Sequence, residues 1–376
     1  MTGTPANPSP GLSAPGSDRR SRRGKLTKAE CWWRDHQAWL AERGYALRSR
    51  YRPGWTPSWQ DKPQSFAMDH EDWHMAERAF LLDALRISDN SLVILKRVKK
   101  SWNPEEVQLH QYLYSDSLKS DPRNHTVPII ETLEVPDDDD STIMVLPLFR
   151  DCNDPCWLTI GEILSFIGQV LEVSALDSAD SICRDCQAPN IMYDPRPMYP
   201  DMFHPRVPDR SRDWRGRAKH YTRTARPVKY YFIDFGLSRR YDPKEGPPRE
   251  HPIRGGDKTV PEFENWNGEL LDPFPTDIYY LGNMMRTEIL QRYRGVEFLV
   301  PLVQDMVQTE PSKRPTIQEA SRRFEELLKP LGYWTLRSRL VPRLEDPLEA
   351  LGHNIAHAFR TARYILTRKP AIPRPL

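Results

Sequence analysis

The chain has 376 residues, of which 38% are hydrophobic and 28% charged, so it can bury a sizeable core. Its 54 Lys and Arg residues nearly balance its 52 Asp and Glu residues, which excludes a protein-wide field that recruits nucleic acid or membrane. No apolar run approaches the roughly 18 residues of a membrane span. The odd count of five cysteines argues against a secreted disulfide framework. We expect an intracellular protein of the cytoplasm or the nucleus.

Composition divides the chain into four segments. Residues 1–26 combine a Pro-, Gly- and Ser-rich stretch with a knot of Arg and Lys, which predicts a disordered basic tail. Residues 27–79 begin with a helical pattern and continue as an extension rich in tryptophan and proline. Residues 80–330 contain the candidate catalytic motifs, and residues 331–376 predict a helical tail.

Strand-like runs come first within residues 80–330, and helical patterns follow them. The strand-like runs are 80–85, 92–98, 127–135 and 142–149. A helix-like pattern follows Pro104, and beyond residue 149 the texture is helical apart from 191–193 and 230–233. The pattern therefore predicts an α+β protein with a small strand-rich half and a larger helix-rich half.

Four short signals occur in a fixed order in this segment. They are Val93-Ile94-Leu95-Lys96, Arg184-Asp185-Cys186-Gln187-Ala188-Pro189-Asn190, Ile233-Asp234-Phe235-Gly236 and Val260-Pro261-Glu262. Phosphoryl transfer needs a cation on the nucleotide phosphates, oxygen ligands for Mg²⁺ and a carboxylate that orients the attacking hydroxyl. Lys96 can supply the cation and Asp185 the orienting carboxylate. Asn190 and Asp234 can supply the metal ligands.

With these motifs, residues 80–330 resemble a eukaryotic protein-kinase domain. The sequences at 239–243 and 275–282 are similar to those of the expanded kinase-like family of mushroom-forming fungi. The resemblance implies a two-lobed protein-kinase-like fold, with a small antiparallel-sheet N-lobe carrying one helix and a larger, mainly helical C-lobe. It also implies ATP and Mg²⁺ as cofactors, and transfer of the ATP γ-phosphate to Ser/Thr hydroxyls of a protein substrate.

The resemblance assigns roles to single residues. Lys96 resembles the strand lysine that meets the nucleotide phosphates, and Glu106 resembles its helix partner, with Glu105 as the fallback. Asp185 resembles the catalytic base. Asn190 and Asp234 resemble the ligands that hold Mg²⁺ on the nucleotide. The remaining nucleotide-binding positions are Leu146 at the back of the pocket and the hinge residues Pro147, Leu148 and Phe149.

Three more positions resemble architectural residues of the large lobe. Glu262 and Arg314 resemble a buried ion pair that braces it. Asp277 resembles the carboxylate at a helix start that holds the catalytic loop from below. We expect these three residues to support the fold without taking part in the chemistry.

The sequence also departs from the family pattern. No Gly-x-Gly-x-x-Gly precedes Lys96, and Cys183 stands where the family motif has histidine. Gln187 stands where many serine/threonine kinases carry a lysine that contacts the transferred phosphate. These departures predict weak transfer. They keep open the alternative of a catalytically impaired pseudokinase that binds nucleotide and acts as a scaffold.

Two remote alternatives belong to other classes. The pairs Cys152/Cys156 and Cys183/Cys186 have spacings found in zinc modules. The segment 195–229 mixes basic and aromatic residues, as single-strand nucleic-acid binders do. We favour 195–229 as a basic insertion that forms a docking surface for a substrate or partner, and nucleic acid is not the expected partner.

The C-terminal stretch 347–366 carries apolar residues at near-helical spacing. They are Leu348, Leu351, Ile355, Phe359 and Tyr364. The spacing predicts an amphipathic helix. We expect its apolar side to pack on the helix-rich half, and contact of its basic side with a membrane surface is the alternative.

Overall fold

The computed structural model describes residues 24–62, 64–176, 181–182, 186–241, 244, 246, 248–252, 255–264 and 266–375, with the backbone alone at 173–176 and 181–182. Most of the predicted disordered tail lies outside these ranges, as do Cys183 and the predicted base Asp185. The described residues form an α+β fold, as expected from the sequence. No helix among them is both long enough and apolar enough to cross a lipid bilayer.

The strands, in chain order, are β1 (Tyr45–Leu47), β2 (Leu81–Arg86), β3 (Ser91–Lys99), β4 (Glu131–Glu134), β5 (Ser141–Pro147), β6 (Arg150–Asp151), β7 (Ser181–Ile182), β8 (Ile191–Tyr193), β9 (Tyr230–Phe232), β10 (Arg239–Arg240), β11 (Tyr293–Arg294) and β12 (Val341–Pro342). The helices are α1 (Lys28–Asp35), α2 (Gln37–Glu42), α3 (Glu106–Leu113), α4 (Ile160–Leu176), α5 (Phe274–Met285), α6 (Val300–Met306), α7 (Ile317–Leu328), α8 (Tyr333–Arg337) and α9 (Pro347–Leu366). A π-helical turn continues α5 directly.

Five of these strands form one antiparallel sheet in the order β1-β2-β3-β5-β4. Successive side chains of a strand point to opposite faces of a sheet. In β3, Val93 and Leu95 therefore pack on one face, in a core that includes Trp33. Lys96 and Val98 lie on the other face, where Val98 belongs to the core against which α3 packs. The alternation thus directs the amine of Lys96 towards α3.

The N-terminal extension covers the first face of this sheet. Thr27 and Glu30 form a reciprocal capping box at the start of α1. The sequence predicts one helix here, whereas the structure has two that are interrupted at His36. Gly44, at a φ of +91°, ends α2 and turns the chain into β1. The extension therefore contributes a strand to the same sheet that contains Lys96.

The helical region (residues 150–375) surrounds α4. Its buried side chains include Ile163, Phe166 and Ile167, which belong to the largest hydrophobic core of the molecule. A second sheet, in the order β6-β8-β9, packs beside α4. Asn190 lies just before the start of β8, and Asp234 lies two residues after the end of β9. Because the two strands are antiparallel, both residues lie at the same end of this sheet.

Helix α9 differs from the expectation in how it faces the protein. The helix spans Pro347–Leu366 as predicted. Tyr364 is buried, but Leu348, Leu351, Ile355 and Phe359 are exposed to solvent. The expectation that these four side chains pack on the helix-rich half is therefore wrong. The reason is that Tyr364 anchors the opposite side of the helix through a hydrogen bond to Thr222.

Candidate functional site

Lys96 lies between two carboxylates that come from distant parts of the chain. Its Nζ donates to Oδ1 of Asp234 at 2.7 Å and forms an ion pair with Oε1 of Glu106. Lys96 and Glu106 are buried, whereas the side chain of Asp234 is 48% exposed. We call these three residues the triad. The triad is a buried cation with one enclosed and one solvent-accessible carboxylate.

Helix α3 positions Glu106. Its buried face carries Glu106, Leu109, His110 and Leu113, the spacing that one side of an α-helix requires. Nδ2 of Asn103, just before the helix, donates to Oε2 of Glu106 at 3.1 Å. The second carboxylate oxygen is therefore satisfied as well. The fallback, Glu105, is exposed and precedes the first helical residue.

Asp234 has an unusual backbone conformation that directs its carboxylate towards Lys96. It follows β9 and has a φ of +64°, in the left-handed region that non-glycine residues other than Asn and Asp rarely adopt. Phe235 is buried, and its ring lies 5.1 Å from the ring of His110 on α3. The turn thus exposes the carboxylate while the next residue fixes the loop under the helix.

The charges of the triad stabilise one another. Burial alone would raise the pKa of Asp234, but the charge and hydrogen bond of Lys96 bring that pKa below its ordinary value. Burial would lower the pKa of Lys96, yet Glu106 and Asp234 raise it overall. The folded protein therefore holds Asp234 as a carboxylate and Lys96 as an ammonium at neutral pH.

Asn190 is next to Asp234 through backbone pairing. It ends a turn at Ala188–Asn190, and Ile191 pairs with Phe232 across the second sheet. The backbone nitrogen of Ile233 donates to the carbonyl of Asn190 at 2.9 Å. The structure therefore holds the backbone of Asn190 against the residue that precedes Asp234.

The predicted back-pocket and hinge residues lie at the end of β5 and in the connection that leads to the helical region. Leu146 is buried in a small core with Val98. The backbone nitrogen of Leu148 donates to the carbonyl of Leu92 at 3.2 Å, and Pro147 pairs with Val93 in the sheet. The ring of Phe149 lies 4.8 Å from that of Tyr231. Leu146 and Pro147 thus belong to the first sheet, whereas Phe149 packs on the second.

Gln187 packs against the chain that leads to Val260-Pro261-Glu262. A Cβ atom placed on Gly256 would lie 2.0 Å from Nε2 of Gln187, so the absence of a side chain at Gly256 lets the amide of Gln187 lie directly against the backbone. Asp185, two residues earlier, lies outside the described residues, and its position relative to the triad stays a prediction.

The predicted pair of Glu262 and Arg314 is confirmed, and we call it the brace. Arg314 donates to both carboxylate oxygens of Glu262, at 2.8 and 2.6 Å. It also donates to the backbone carbonyls of Gln308 and Pro275. Asp277 lies in the first turn of α5. The brace is a closed, bidentate ion pair.

Three residues near the triad were not identified from the sequence. Asn103 binds Glu106, and His110 packs on Phe235. The charge of the exposed Arg78 contributes to the low pKa of Asp234. The apolar spacing of α3 could have located His110, but Arg78 lies in the long connection between β1 and β2, where no pattern singles it out.

Some basic and polar side chains of the insertion 195–229 bind other parts of the chain. Nε2 of His204 lies 3.1 Å from Oε1 of Glu71, and Arg206 pairs with Glu77 at 3.2 Å. Nε1 of Trp214 donates to the carbonyl of Asp69. The insertion therefore packs on the N-terminal extension, and it leaves Arg215, Arg217 and Lys219 exposed.

No group of three or more His, Cys, Asp or Glu side chains that could hold a metal ion occurs within the described ranges. Of the predicted zinc pairs, Cys152 and Cys186 are buried and Cys156 is exposed. Cys183 lies outside the described residues. An Asp–Asn pair such as Asp234 and Asn190 is a different kind of donor set, of the oxygen type that Mg²⁺ uses.

No protein-family model matches the chain, and no curated protein matches it. The geometry of the triad is therefore the main indication of what the protein does.

Proposed function

We propose that the chain is a protein kinase-like phosphotransferase with a two-lobed fold, and that it transfers the ATP γ-phosphate slowly to Ser/Thr hydroxyls of protein substrates. The observation that carries the proposal is the triad. A buried lysine on a strand is held by a helix carboxylate and lies 2.7 Å from the aspartate of an Asp-Phe-Gly loop. This is the arrangement that phosphoryl transfer by a kinase requires of its lysine, helix and metal-binding loop.

The architecture supports the same reading. A five-stranded antiparallel sheet with one helix against it precedes a region built mainly of helices. The triad joins the two parts, because Lys96 and Glu106 come from the first and Asp234 from the second. A nucleotide bound beside Leu146, Pro147, Leu148 and Phe149 would lie where these parts meet.

The donor set beside the triad fits magnesium-ATP. Asp234 offers an ionised, half-exposed carboxylate. Asn190, whose backbone carbonyl accepts from the residue before Asp234, carries a side-chain amide oxygen that could serve as a second ligand. Hard oxygen donors of this kind suit Mg²⁺, which keeps several waters and shares the phosphates of its nucleotide. Bound magnesium-ATP supplies the phosphoryl group and neutralises part of its charge.

The residues of the chain have separate tasks in this proposal. Lys96 stays protonated because two carboxylates face it, and it orients the phosphates. Glu106 keeps the ammonium in place, and Asn103 keeps Glu106 in place. Asp185 accepts a hydrogen bond from the substrate hydroxyl, orients its oxygen and receives its proton during transfer.

The basic insertion is the proposed docking surface for the protein substrate. Its exposed cations are Arg215, Arg217 and Lys219, and Tyr221 is also largely exposed. This patch suits an acidic segment of a partner, because opposite charges speed and orient the encounter.

The pseudokinase scaffold is a second candidate, and Gln187 is the observation that favours it. Its neutral amide lies against Gly256, and in the resemblance this sequence position is the one at which many kinases carry a lysine that contacts the transferred phosphate. Residues 48–80 connect β1 to β2 without a Gly-x-Gly-x-x-Gly sequence, so backbone amides that cover phosphates are not provided by that motif. A neutral Gln187 lowers stabilisation of the transferred phosphate, and the absence of the Gly-rich motif lowers both nucleotide binding and transfer.

A thermal-shift titration tests nucleotide binding. ATP should stabilise the wild-type protein only with Mg²⁺, by about 2.7 kcal/mol when ATP is present at one hundred times its Kd. Asp234→Asn keeps the left-handed backbone conformation and should lose the magnesium-dependent part. Asp116→Asn, at an exposed surface ion pair, is the matched control and should behave as wild type. An unchanged shift in Asp234→Asn would refute the metal assignment.

A radiolabel assay with magnesium-ATP and a panel of basic and acidic proteins tests transfer. Incorporation above that of Asp185→Ala supports the kinase. Magnesium-dependent ATP binding with no incorporation supports the scaffold. Absence of any nucleotide binding rejects both candidates and leaves the fold without its proposed ligand.

A further inference from the structure

Helix α9 exposes its apolar side and packs on the protein with its polar side. Five large apolar side chains of the helix, Leu348, Leu351, Ile355, Phe359 and Leu366, are between 52% and 84% exposed. Leu344, just before the helix, is 99% exposed. At about 100° per residue these five helical positions fall within one narrow stripe. A continuous exposed stripe of this size marks an interaction surface.

The orientation of the stripe is fixed by contacts on the opposite side of the helix. Tyr364 is buried, and its hydroxyl is hydrogen-bonded to Thr222 at 2.6 Å. Ala356, His357, Arg360 and Thr361 lie on the same side of the helix as Tyr364 and are half-buried. Asn354, on the flank, accepts at its Oδ1 from Nε of Arg339 at 2.7 Å. The stripe therefore faces away from the side of the helix that packs on the protein.

The spacing of the stripe is symmetric about Ile355. Its helical positions around that residue are Leu348, Leu351, Ile355, Phe359 and Ala362. The intervals are 3, 4, 4 and 3 residues, and they read the same from both ends. Two copies aligned antiparallel would therefore place Leu351 opposite Phe359, and the smaller Ala362 opposite Leu348. Ile355 would meet its own copy on the axis. Such self-matching is what a twofold interface requires.

The charges beside the stripe favour the same antiparallel alignment. Glu349 lies near the start of the helix and Arg363 near its end, both on one flank and both exposed. Neither makes an ion pair with any other described residue. Antiparallel copies would bring Glu349 of one beside Arg363 of the other. A parallel pair would place this flank of the two copies on opposite sides of the interface, where Glu349 and Arg363 could not pair.

We propose that α9 is a homodimerisation surface, on which a second copy of this chain binds antiparallel about a twofold axis through Ile355. The proposal does not depend on the proposed phosphotransfer. None of the residues of the triad belongs to the stripe.

Sedimentation velocity of the full chain tests the association. The wild type should shift from monomer to dimer with concentration. Ile355→Glu places two like charges on the axis and should raise the dissociation constant of the dimer at least tenfold. Glu349→Arg and Arg363→Glu should each weaken it, and the double variant should recover it. Circular dichroism should be unchanged, because these side chains are exposed.

Cysteine cross-linking tests the alignment, in a Cys156→Ser background because Cys156 is exposed. Ile355→Cys should form a disulfide-linked dimer on mild oxidation. Leu348→Cys should not, because in the antiparallel pair the two copies of residue 348 lie about 21 Å apart along the helices. Equal cross-linking of both variants would show a parallel pair and overturn the proposal. The proposal would also be overturned if the chain stayed monomeric over a hundredfold increase in concentration in the sedimentation experiment. Binding of the monomer to phosphatidylserine vesicles would overturn it as well.

Discussion

The brace and the triad are both buried ion pairs that join distant parts of the chain, but they differ in their access to water. The side chains of Arg314 and Glu262 are 0% and 9% exposed, and backbone carbonyls complete the hydrogen bonds of the guanidinium. In the triad, Lys96 and Glu106 are equally enclosed, whereas Asp234 is half open to solvent.

This difference separates a structural pair from a site that can bind a ligand. A bidentate, enclosed pair has no free donor or acceptor left for another molecule. The triad keeps a charged oxygen at its open end while its buried members hold that oxygen in place. We therefore expect removal of a brace residue to reduce stability, and removal of the open carboxylate to reduce ligand binding with little effect on stability.

The largest effect is expected for Glu262→Ala. It leaves the Arg314 guanidinium buried without its carboxylate and should cost about 3–5 kcal/mol of unfolding free energy. Urea denaturation measures the loss. Glu326→Ala is the matched control, because Glu326 pairs with Arg322 at 2.7 Å on the surface, and its removal should cost less than about 1 kcal/mol. Equal losses in the two variants would contradict the role of the brace.

Lys96→Met should have the next largest effect. It strands the buried carboxylate of Glu106, which retains the hydrogen bond from Asn103. Because that bond remains and Asp234 opens the site to water, we expect a loss of about 2–3 kcal/mol, less than for the brace. The same denaturation series measures it. A loss as large as that of Glu262→Ala would show that the triad is as closed as the brace.

Acid should weaken the region of the triad through His110. Burial, together with the charge of Lys96, lowers the pKa of this imidazole to about 4, against the opposing effects of the hydrogen bond to Val127 and the charge of Asp234. The unfolded chain therefore takes up the proton first as the pH falls below 6.5. The contribution of the neutral ring to the free energy of unfolding is fully present above pH 6.5 and decreases as the pH falls towards 4. Between pH 7 and pH 5 the loss is about 2 kcal/mol.

His110→Gln is the comparison for this pH dependence, since its amide can still donate to the carbonyl that Nε2 of His110 meets at 2.6 Å. The variant should lose less stability than the wild type between pH 7 and pH 5. Identical pH profiles would show that the ring does not stay neutral in the folded protein. Hydrogen exchange at pH 5 should increase first in α3 and last around the brace.

Asp234→Asn should have the smallest effect on stability, less than about 1 kcal/mol, because its side chain is half exposed and asparagine tolerates the same left-handed backbone. Lys96 would keep its pair with Glu106. Urea denaturation of Asp234→Asn and Glu262→Ala in parallel therefore compares the loss of the open carboxylate of the triad with the loss of the enclosed carboxylate of the brace. A large loss here would mean that Asp234 holds the two regions together and is not mainly a ligand.

Several features of the site followed from local sequence. The resemblance paired Lys96 with a helix carboxylate, and the apolar spacing of Leu109 and Leu113 favoured Glu106 over Glu105, as the bounds and buried face of α3 confirm. The short apolar runs that became β8 and β9 were located residue by residue, apart from one position at the end of β9. These patterns are readable because periodicity and turn chemistry act over a few neighbouring residues.

Other features depended on contacts between distant segments. The run 127–135 was expected to be one strand, but β4 begins only at Glu131, since the backbone nitrogen of Val127 bonds to Phe232 of the second sheet. The charge of Arg78 helps to lower the pKa of Asp234, although the two residues are more than 150 positions apart in the sequence. No local sequence pattern could have predicted this interaction.

Helix α9 shows the division most clearly. Its bounds and its amphipathic character were fixed by residue spacing alone. Spacing does not say which face of a helix meets the protein, because burial of either face depends on what the rest of the chain presents to it. Here Thr222 and Arg339 present polar partners to Tyr364 and Asn354, so the polar side docks and the apolar side faces outwards.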